Sequence, residues 1–281
     1  MLNRRLVIVT GKGGTGRSAV AASLAVAAAR SGRRVLALAM DRGSGLARHL
    51  RAGVLGAQPQ RLGDVHAAIV DPAAALDEYL RMRIRVPRLA AVSRIFAAVV
   101  ETVPGVRDTA MIGKVVFEST RSRWDLVVVD APPIGQVSSF LNAPTTIARL
   151  VPGGAVRDQS EWMRSVIADA VHTGVVVVAT PEDLPVLEAR ALTADLATSG
   201  AVAVEAVIAN KVLPDPDFEP ADVARTSEGA RRDAAGLHLA LTAQQAEHLR
   251  RLAAGHTIPF LFGMRTESET SERIADLWET R

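Results

Sequence analysis

The sequence of 281 residues contains no cysteine. This absence excludes disulfide bonds and every metal site that depends on thiolate ligands. The six histidines also lack the spacing of a metal-binding motif. Because a chain without disulfides is suited to a reducing compartment, we expect a cytoplasmic protein.

Long apolar runs are missing too, although 48% of the residues are hydrophobic. No window approaches the roughly 18 consecutive apolar residues that a membrane-spanning helix requires, so we expect no stable membrane insertion. The apolar content is sufficient for the core of one large α/β domain. We therefore expect residues 1–281 to form a single domain.

Lysine is scarce, because the 33 basic residues include only Lys12, Lys114 and Lys211 and the remainder are arginines. The net charge is +3, and no block of like charges interrupts the sequence. Proteins that bind nucleic acids usually concentrate positive charge in one segment or on one face. The charge pattern therefore predicts no nucleic-acid partner.

One glycine-rich stretch, GKGGTGRS at residues 11–18, lies between an apolar run and an alanine-rich segment. The run before it has the pattern of a buried strand, and the segment after it favours a helix. Glycines in this context let successive backbone N–H groups surround an anion at a helix N-terminus. A glycine-rich turn without a ligand is the alternative, which the flanking strand and helix disfavour. We predict that these residues bind phosphate groups: Gly11, Lys12, Gly13, Gly14, Thr15, Gly16, Arg17, Ser18 and Ala19.

The loop departs at one position from the phosphate-loop pattern Gly-x-x-x-x-Gly-Lys-[Ser/Thr]. Arg17 stands where the pattern has lysine. Ser18 stands where a hydroxyl group would bind Mg²⁺. The motif is therefore a deviant form of the phosphate loop.

The rest of the chain alternates strand-like and helix-like segments. We predict strands at residues 6–10, 34–40, 65–70, 124–130, 175–180, 202–210 and 257–260. We predict helices at residues 19–30, 46–50, 73–85, 87–100, 106–120, 139–150, 160–171, 184–198, 243–254 and 269–279, with a turn at 131–135. This alternation indicates an α/β fold, with a mostly parallel sheet and helices on both faces. Residues 73–120 form a helical subregion within it.

Two aspartates follow predicted strands at the sheet edge where α/β proteins bind ligands. Asp130 ends an apolar strand, as does the acid that holds the magnesium ion in phosphate-loop NTPases. The alternative for Asp130 is a helix-capping or turn residue. Asp41 ends the second strand, where a carboxylate could orient or deprotonate an attacking water molecule. The alternative for Asp41 is a solvated loop acid.

Several segments together resemble the arsenite-pump ATPase family, which includes the tail-anchored-protein targeting ATPases. GKGGTG at 11–16 resembles the deviant phosphate loop of that family, and DAPPIG at 130–135 resembles its second switch. IANK at 208–211 resembles the strand end that recognises adenine, and IP at 258–259 the segment that closes over it. Because these segments occur in the family's order, the resemblance implies a phosphate-loop NTPase fold with a deviant Walker A motif.

The resemblance also implies the cofactors, ATP and Mg²⁺, and the residues that bind them. Ser18 and Asp130 would hold Mg²⁺. Asn210 would contact the adenine base, and Pro259 would lie against it.

The family resemblance further implies a dimer, formed either with a second copy or with a related ATPase. Lys12 matches the family's signature lysine, which would reach the phosphates of the partner subunit, and Asp41 would position the attacking water. A client protein is a further expected partner. The amphipathic segment 83–100 is a candidate surface for it, and core packing is the alternative for that segment.

Departures from the family pattern leave three functions open. Arg17 replaces the loop lysine, Arg42-Gly43 replaces Pro-Ala after Asp41, and Gln136 replaces the usual histidine. Without cysteine, arsenite cannot be held as in the pump. We expect an ATP-dependent switch coupled to a partner or, alternatively, a poorly hydrolysing subunit paired with an intact relative. An ATP-dependent ligase or kinase is a third reading, for which no substrate pocket can be named.

Overall fold

The computed structural model describes residues 3–41, 43–84, 105–226, 228–263 and 265–279. In this part of the chain, the strands are β1 (Leu6–Gly11), β2 (Val35–Ala39), β3 (Gln60–Leu62), β4 (Val65–Ile69), β5 (Leu126–Asp130), β6 (Thr173–Ala179), β7 (Val204–Val212) and β8 (His256–Pro259). They form one sheet in the order β3-β4-β2-β5-β1-β6-β7-β8. All neighbouring strands are parallel except β3 and β4, which are antiparallel.

The described helices lie between these strands and after β8. They are α1 (Arg17–Arg30), α2 (Leu46–His49), α3 (Pro72–Ile84), α4 (Val106–Thr120), α5 (Ile134–Leu150), α6 (Ala155–Ala168), α7 (Asp183–Ser199), α8 (Pro220–Arg225), α9 (Ala230–Leu252) and α10 (Glu267–Glu279). None of the helices that the structure describes is both long enough and apolar enough to cross a bilayer.

The central strands are apolar on both faces because helices cover both faces. Every residue of β1, β2, β5 and β6 is buried. Leu6 and Ile8 belong to the same core cluster as Phe140 of α5. Val7 and Val9 point to the opposite face, where they belong to a cluster with Leu24 of α1. The predicted α/β fold with helices on both faces is confirmed.

Some predicted boundaries were wrong. The turn expected at 131–135 ends at Pro133, whose extended backbone precedes the first residue of α5, Ile134. The prolines before Ile134 are compatible with the start of this helix. Proline lacks a backbone N–H, and the N–H groups at a helix start have no partner within the helix. The helices α6 and α9 also begin well before the predicted residues 160 and 243. The predicted helix at 87–100 and the side chains of the candidate client surface lie outside the described residues.

Strand β3 was not predicted. It has three residues and pairs only with β4 at the edge of the sheet. A segment of this length is too short to show the alternation of apolar and polar residues by which strands are recognised. Its strand geometry therefore depends on pairing with β4.

Three partly buried histidines make stability depend on pH. Burial lowers the pKa of His49, His66 and His172 below their usual value. The unfolded chain then binds more protons than the folded one below a pH of about 6.5, so stability decreases as the pH falls through that value toward the lower folded-state pKa values. We expect a lower midpoint of urea unfolding at pH 5.5 than at pH 7.5. His172→Gln should reduce this difference, and an unchanged difference would contradict the assignment of His172.

Candidate phosphate-binding site

The glycine-rich loop joins β1 to α1, as the sequence predicts. Gly14 and Gly16 both have a φ of 87°, in the left-handed region that favours glycine. The loop is closed by two hydrogen bonds to the carbonyl oxygen of Lys12, one from the backbone N–H of Thr15 (3.3 Å) and one from its hydroxyl group (2.8 Å). Ala19 lies in the first turn of α1, a helix of 14 residues. The loop therefore lies at a helix N-terminus, where backbone N–H groups favour an anion.

Two of the loop glycines lie against other strands. A Cβ atom at Gly11 would lie 2.3 Å from the carbonyl oxygen of Val178 in β6. A Cβ atom at Gly16 would lie 2.2 Å from the side-chain nitrogen of Asn210 in β7. A Cβ atom at Gly13 would have no neighbour within 4 Å. The absence of a side chain is thus structurally necessary at Gly11 and Gly16.

Gly11→Ala is expected to destabilise the protein by about 1–3 kcal/mol, because the new methyl group would force β1 away from β6. Gly13→Ala is the matched control and is expected to change stability by no more than about 0.5 kcal/mol. Urea unfolding of both variants tests this. Equal destabilisation by the two substitutions would contradict the proposed steric origin.

The buried carboxylate of Asp130 is the centre of the site. Asp130 is the last residue of β5 and is 2% exposed. Its Oδ2 accepts hydrogen bonds of 2.6 Å from the hydroxyl groups of Ser18 and Ser44. Its Oδ1 accepts a hydrogen bond of 3.1 Å from Nε of Arg17. The structure therefore brings Arg17, Ser18 and Asp130 together; the pairing of Arg17 with Asp130 was not predicted, and a metal-binding role of Ser18 and Asp130 stays a prediction.

The donor set around Asp130 fits a magnesium ion. One carboxylate and two hydroxyl groups supply oxygen ligands, which Mg²⁺ prefers to nitrogen and sulfur. Ser44 was not singled out in the sequence. Only its position in the loop after β2, a strand that neighbours β5, could have indicated it. The hydroxyl groups of Ser18 and Ser44 and the carboxylate of Asp130 are thus candidate direct or water-mediated ligands.

Arg17 fits a phosphate group as well as the Asp130 carboxylate. Its side chain is 16% exposed, and its contact with Asp130 is made through Nε. Within the described ranges, its buried Nη1 has no hydrogen-bond partner. A buried donor without an acceptor is unfavourable, and the oxygen of a bound anion would satisfy it.

The two predicted catalytic side chains lie outside this cluster. Nζ of Lys12 forms an ion pair of 2.6 Å with Glu188 of α7, and each side chain is about one-third exposed. Asp41 is exposed, and its Oδ1 accepts a hydrogen bond from the backbone N–H of Gly43 in the same loop. The structure therefore places neither Lys12 nor Asp41 in contact with Asp130.

The predicted base-binding residues lie at the neighbouring strand ends. The side-chain nitrogen of Asn210 donates a hydrogen bond of 2.7 Å to the carbonyl oxygen of Thr15. Nζ of Lys211 donates one of 2.9 Å to Gly14. The β7–β8 register shifts between Ala209 and Val212, so both side chains lie in an irregular part of β7.

This irregular strand end places Asn210 against the phosphate loop. Lys211 has a φ of 59°, which is strained for a residue with a side chain. Pro259 is exposed at the end of β8, opposite Val212. The side-chain amide of Asn210 keeps a second N–H for another acceptor, and contact of Asn210 and Pro259 with a base stays a prediction.

Known proteins share sequence similarity with most of this chain. The anion-transporting ATPase family matches residues 4–153 and 154–233. The ATPase BagA of Mycobacterium tuberculosis is 34% identical over 240 residues, which cover 80% of this chain and 70% of that protein. A Halobacterium salinarum protein named as an arsenical pump-driving ATPase is 25% identical over 288 residues, 94% of this chain and 42% of that protein.

A more distant relative is the ATPase ASNA1 homolog 1 of Paramecium tetraurelia, 24% identical over 152 residues, which cover 51% of this chain and 44% of that protein. The family match covers most of the chain and includes the phosphate loop and Asp130. Membership of an ATPase family implies nucleotide binding. The chain belongs to the anion-transporting ATPase family, as its resemblance to the arsenite-pump ATPases predicts.

Proposed function

We propose that this protein is an ATP-binding molecular switch that acts as a dimer and couples its nucleotide state to a partner protein. The observation that carries the proposal is the arrangement around Asp130. A buried carboxylate, two hydroxyl groups and a guanidinium group converge beside a glycine-rich loop at the start of α1. This combination supplies ligands for both a metal ion and the phosphates of ATP.

Each part of the site has a role in this proposal. The backbone N–H groups of the loop would bind the phosphates, and Ser18, Ser44 and Asp130 would hold Mg²⁺. When bound, Mg²⁺ would neutralise phosphate charge. Lys12 would act on the phosphates of the partner subunit after release from Glu188, and Asp41 would orient the attacking water.

The surface beside Lys12 supports a dimer. Leu184 and Leu187 lie one turn apart on α7 and are 51% and 57% exposed. Glu188, which holds Lys12, follows them directly. An exposed apolar pair next to the phosphate loop is suited to burial against a second subunit.

We expect Leu184→Glu/Leu187→Glu to weaken the ATP-dependent dimer at least about tenfold, because it places two charges in the proposed contact. The matched control is Leu237→Glu/Leu241→Glu, since these leucines of α9 are also exposed. Sedimentation velocity with ATP and Mg²⁺ measures the dimer. Equal weakening by both pairs of substitutions would contradict the proposed interface.

A second candidate function is a subunit that binds ATP but hydrolyses it slowly and works with an intact relative. The contact between Arg17 and Asp130 favours this possibility. A planar guanidinium group that is paired with Asp130 cannot act as the compact, mobile charge that lysine supplies between phosphates. Catalysis depends on placing that charge within about half an ångström.

One sample tests both candidates. ATP binding by calorimetry and phosphate release are measured on the same purified protein with Mg²⁺. Binding with turnover supports the switch ATPase, and binding without turnover supports the poorly hydrolysing subunit. A folded protein that neither binds nor hydrolyses ATP, alone or mixed with a related ATPase, would contradict both candidate functions.

A further inference from the structure

An open cavity of about 490 Å³ lies at the amino ends of the strands, on the edge of the sheet opposite the phosphate loop. We call it the basic cavity, because its lining includes Arg33, Arg34, Arg61, Asp64, His66 and Arg123. It adjoins the starts of β2, β4 and β5. Since β2 has five residues, the cavity is separated from the phosphate-loop edge by roughly 16 Å along the strands. It is therefore not part of the site around Asp130.

Two of the four arginines are committed to the fold. Arg34 makes a two-pronged ion pair with Asp125, with distances of 3.0 Å from Nε and 2.6 Å from Nη2. Nη2 of Arg33 donates hydrogen bonds to the carbonyl oxygens of Arg4 and Asp125. These two guanidinium groups contribute positive charge to the cavity and are held in place by other partners.

The other two arginines are available to a ligand. Arg61 is 71% exposed: its Nε donates a hydrogen bond of 2.8 Å to the carbonyl oxygen of Gly63, and its Nη2 lies 3.8 Å from Asp64, so the guanidinium group keeps further N–H groups for a ligand. The guanidinium group of Arg123 lies over the ring of Trp124, 4.6 Å from its centre, and has no carboxylate partner among the residues that the structure describes. Four guanidinium groups thus line the cavity, and the ion pairs of Arg34 and Arg61 are with Asp125 and Asp64.

His66 lines the same cavity as Arg61 and Arg123. Its ring lies 5.0 Å from Trp124, and its buried Nδ1 has no partner within the described part of the chain. Burial lowers the pKa of His66, and the positive charges of Arg123 and Arg61 lower it further. An anion bound between the two arginines would oppose this effect and raise the pKa of His66.

We propose that the basic cavity binds the phosphate group of a small soluble metabolite, with Arg61 and Arg123 as its principal contacts. Guanidinium groups recognise phosphate through paired, charge-assisted hydrogen bonds. The cavity volume lies within the range of small-molecule sites, up to the size of a nucleotide. The proposal does not depend on nucleotide binding at the phosphate loop.

Inorganic pyrophosphate is the probe for this site. Its binding is followed by the NMR signals of the His66 ring in 150 mM NaCl, a readout that pyrophosphate bound at the phosphate loop would not produce. We expect saturable shifts and a higher pKa of His66 in the bound protein. Arg61→Gln/Arg123→Gln is expected to raise the dissociation constant at least tenfold. Arg61→Gln alone, at an exposed position, should raise it measurably if the double variant does not fold.

The matched control is Arg121→Gln, which removes the same charge from the same loop at an exposed residue that does not line the cavity. Its dissociation constant should stay within twofold of the wild-type value. The proposal is overturned if His66 does not respond to pyrophosphate. It is also overturned if Arg121→Gln weakens binding as much as the cavity variants, because the attraction would then be general electrostatics.

Discussion

Replacing Arg17 with lysine is expected to raise the rate of ATP turnover by about a hundredfold. The guanidinium group of Arg17 is paired with Asp130, and its width prevents it from lying between phosphate oxygens as an ammonium group does. Lysine would restore a compact charge and would remove the hydrogen bond from Nε of Arg17 to Asp130. Steady-state phosphate release at saturating ATP and Mg²⁺ measures the effect.

Two controls accompany this substitution. Arg30→Lys makes the same change at the other end of α1, where Arg30 pairs with Asp276 on the surface, and it should leave turnover unchanged. Arg17→Ala should weaken ATP binding, because it removes the charge without replacing it. If Arg17→Lys binds ATP normally and turnover does not rise, Arg17 does not limit hydrolysis.

Replacing Lys114 with methionine is expected to lower the free energy of unfolding by about 3–5 kcal/mol. Nζ of Lys114 lies 2.7 Å from Glu78 and 2.8 Å from Glu118. The Glu118 side chain is 3% exposed and also accepts a hydrogen bond from Nε1 of Trp124. Burial lowers the pKa of Lys114, but the two carboxylates raise it by more, so the net shift is upward. Removal of this lysine would leave the buried carboxylate of Glu118 with the hydrogen bond from Trp124 and without the positive charge of Lys114.

Urea unfolding provides the measurement, and an exposed ion pair provides the comparison. Arg30→Met disrupts the contact with Asp276, in which the two side chains are 37% and 45% exposed, and it should cost less than about 1 kcal/mol. Adding Glu118→Gln to Lys114→Met should recover part of the lost stability, since it removes the uncompensated charge. A loss of less than about 1 kcal/mol in Lys114→Met would show that the carboxylate of Glu118 is adequately solvated.

Local patterns in the sequence predicted the fold class and the core of the site. The apolar runs before Gly11 and through Asp130 are long enough to identify buried strands, and both lie in the centre of the sheet. The strand–loop–helix pattern placed Ser18 and Arg17 at the start of α1. These features were predictable because each depends on residues that are close together in the sequence.

Contacts between distant segments were not predictable in the same way. Ser44 reaches Asp130 across 86 positions, and Lys12 reaches Glu188 across 176. No residue pattern near either partner specifies such a pair. The irregular end of β7, which brings Asn210 against Thr15, could not be predicted either, because it depends on how β7 pairs with β8.

The sequence by itself determined which chemical groups follow one another along the chain. They are a glycine-rich loop, a carboxylate after β2, a second carboxylate at the end of β5 and an amide near the end of β7. Short-range preferences of glycine and of apolar runs are sufficient for that. Only the tertiary structure decided that Asp130 accepts hydrogen bonds from both Ser18 and Arg17 and that Lys12 is held by Glu188. The physical reason is that strand register and helix packing, which involve the whole chain, decide which distant side chains come within hydrogen-bonding distance.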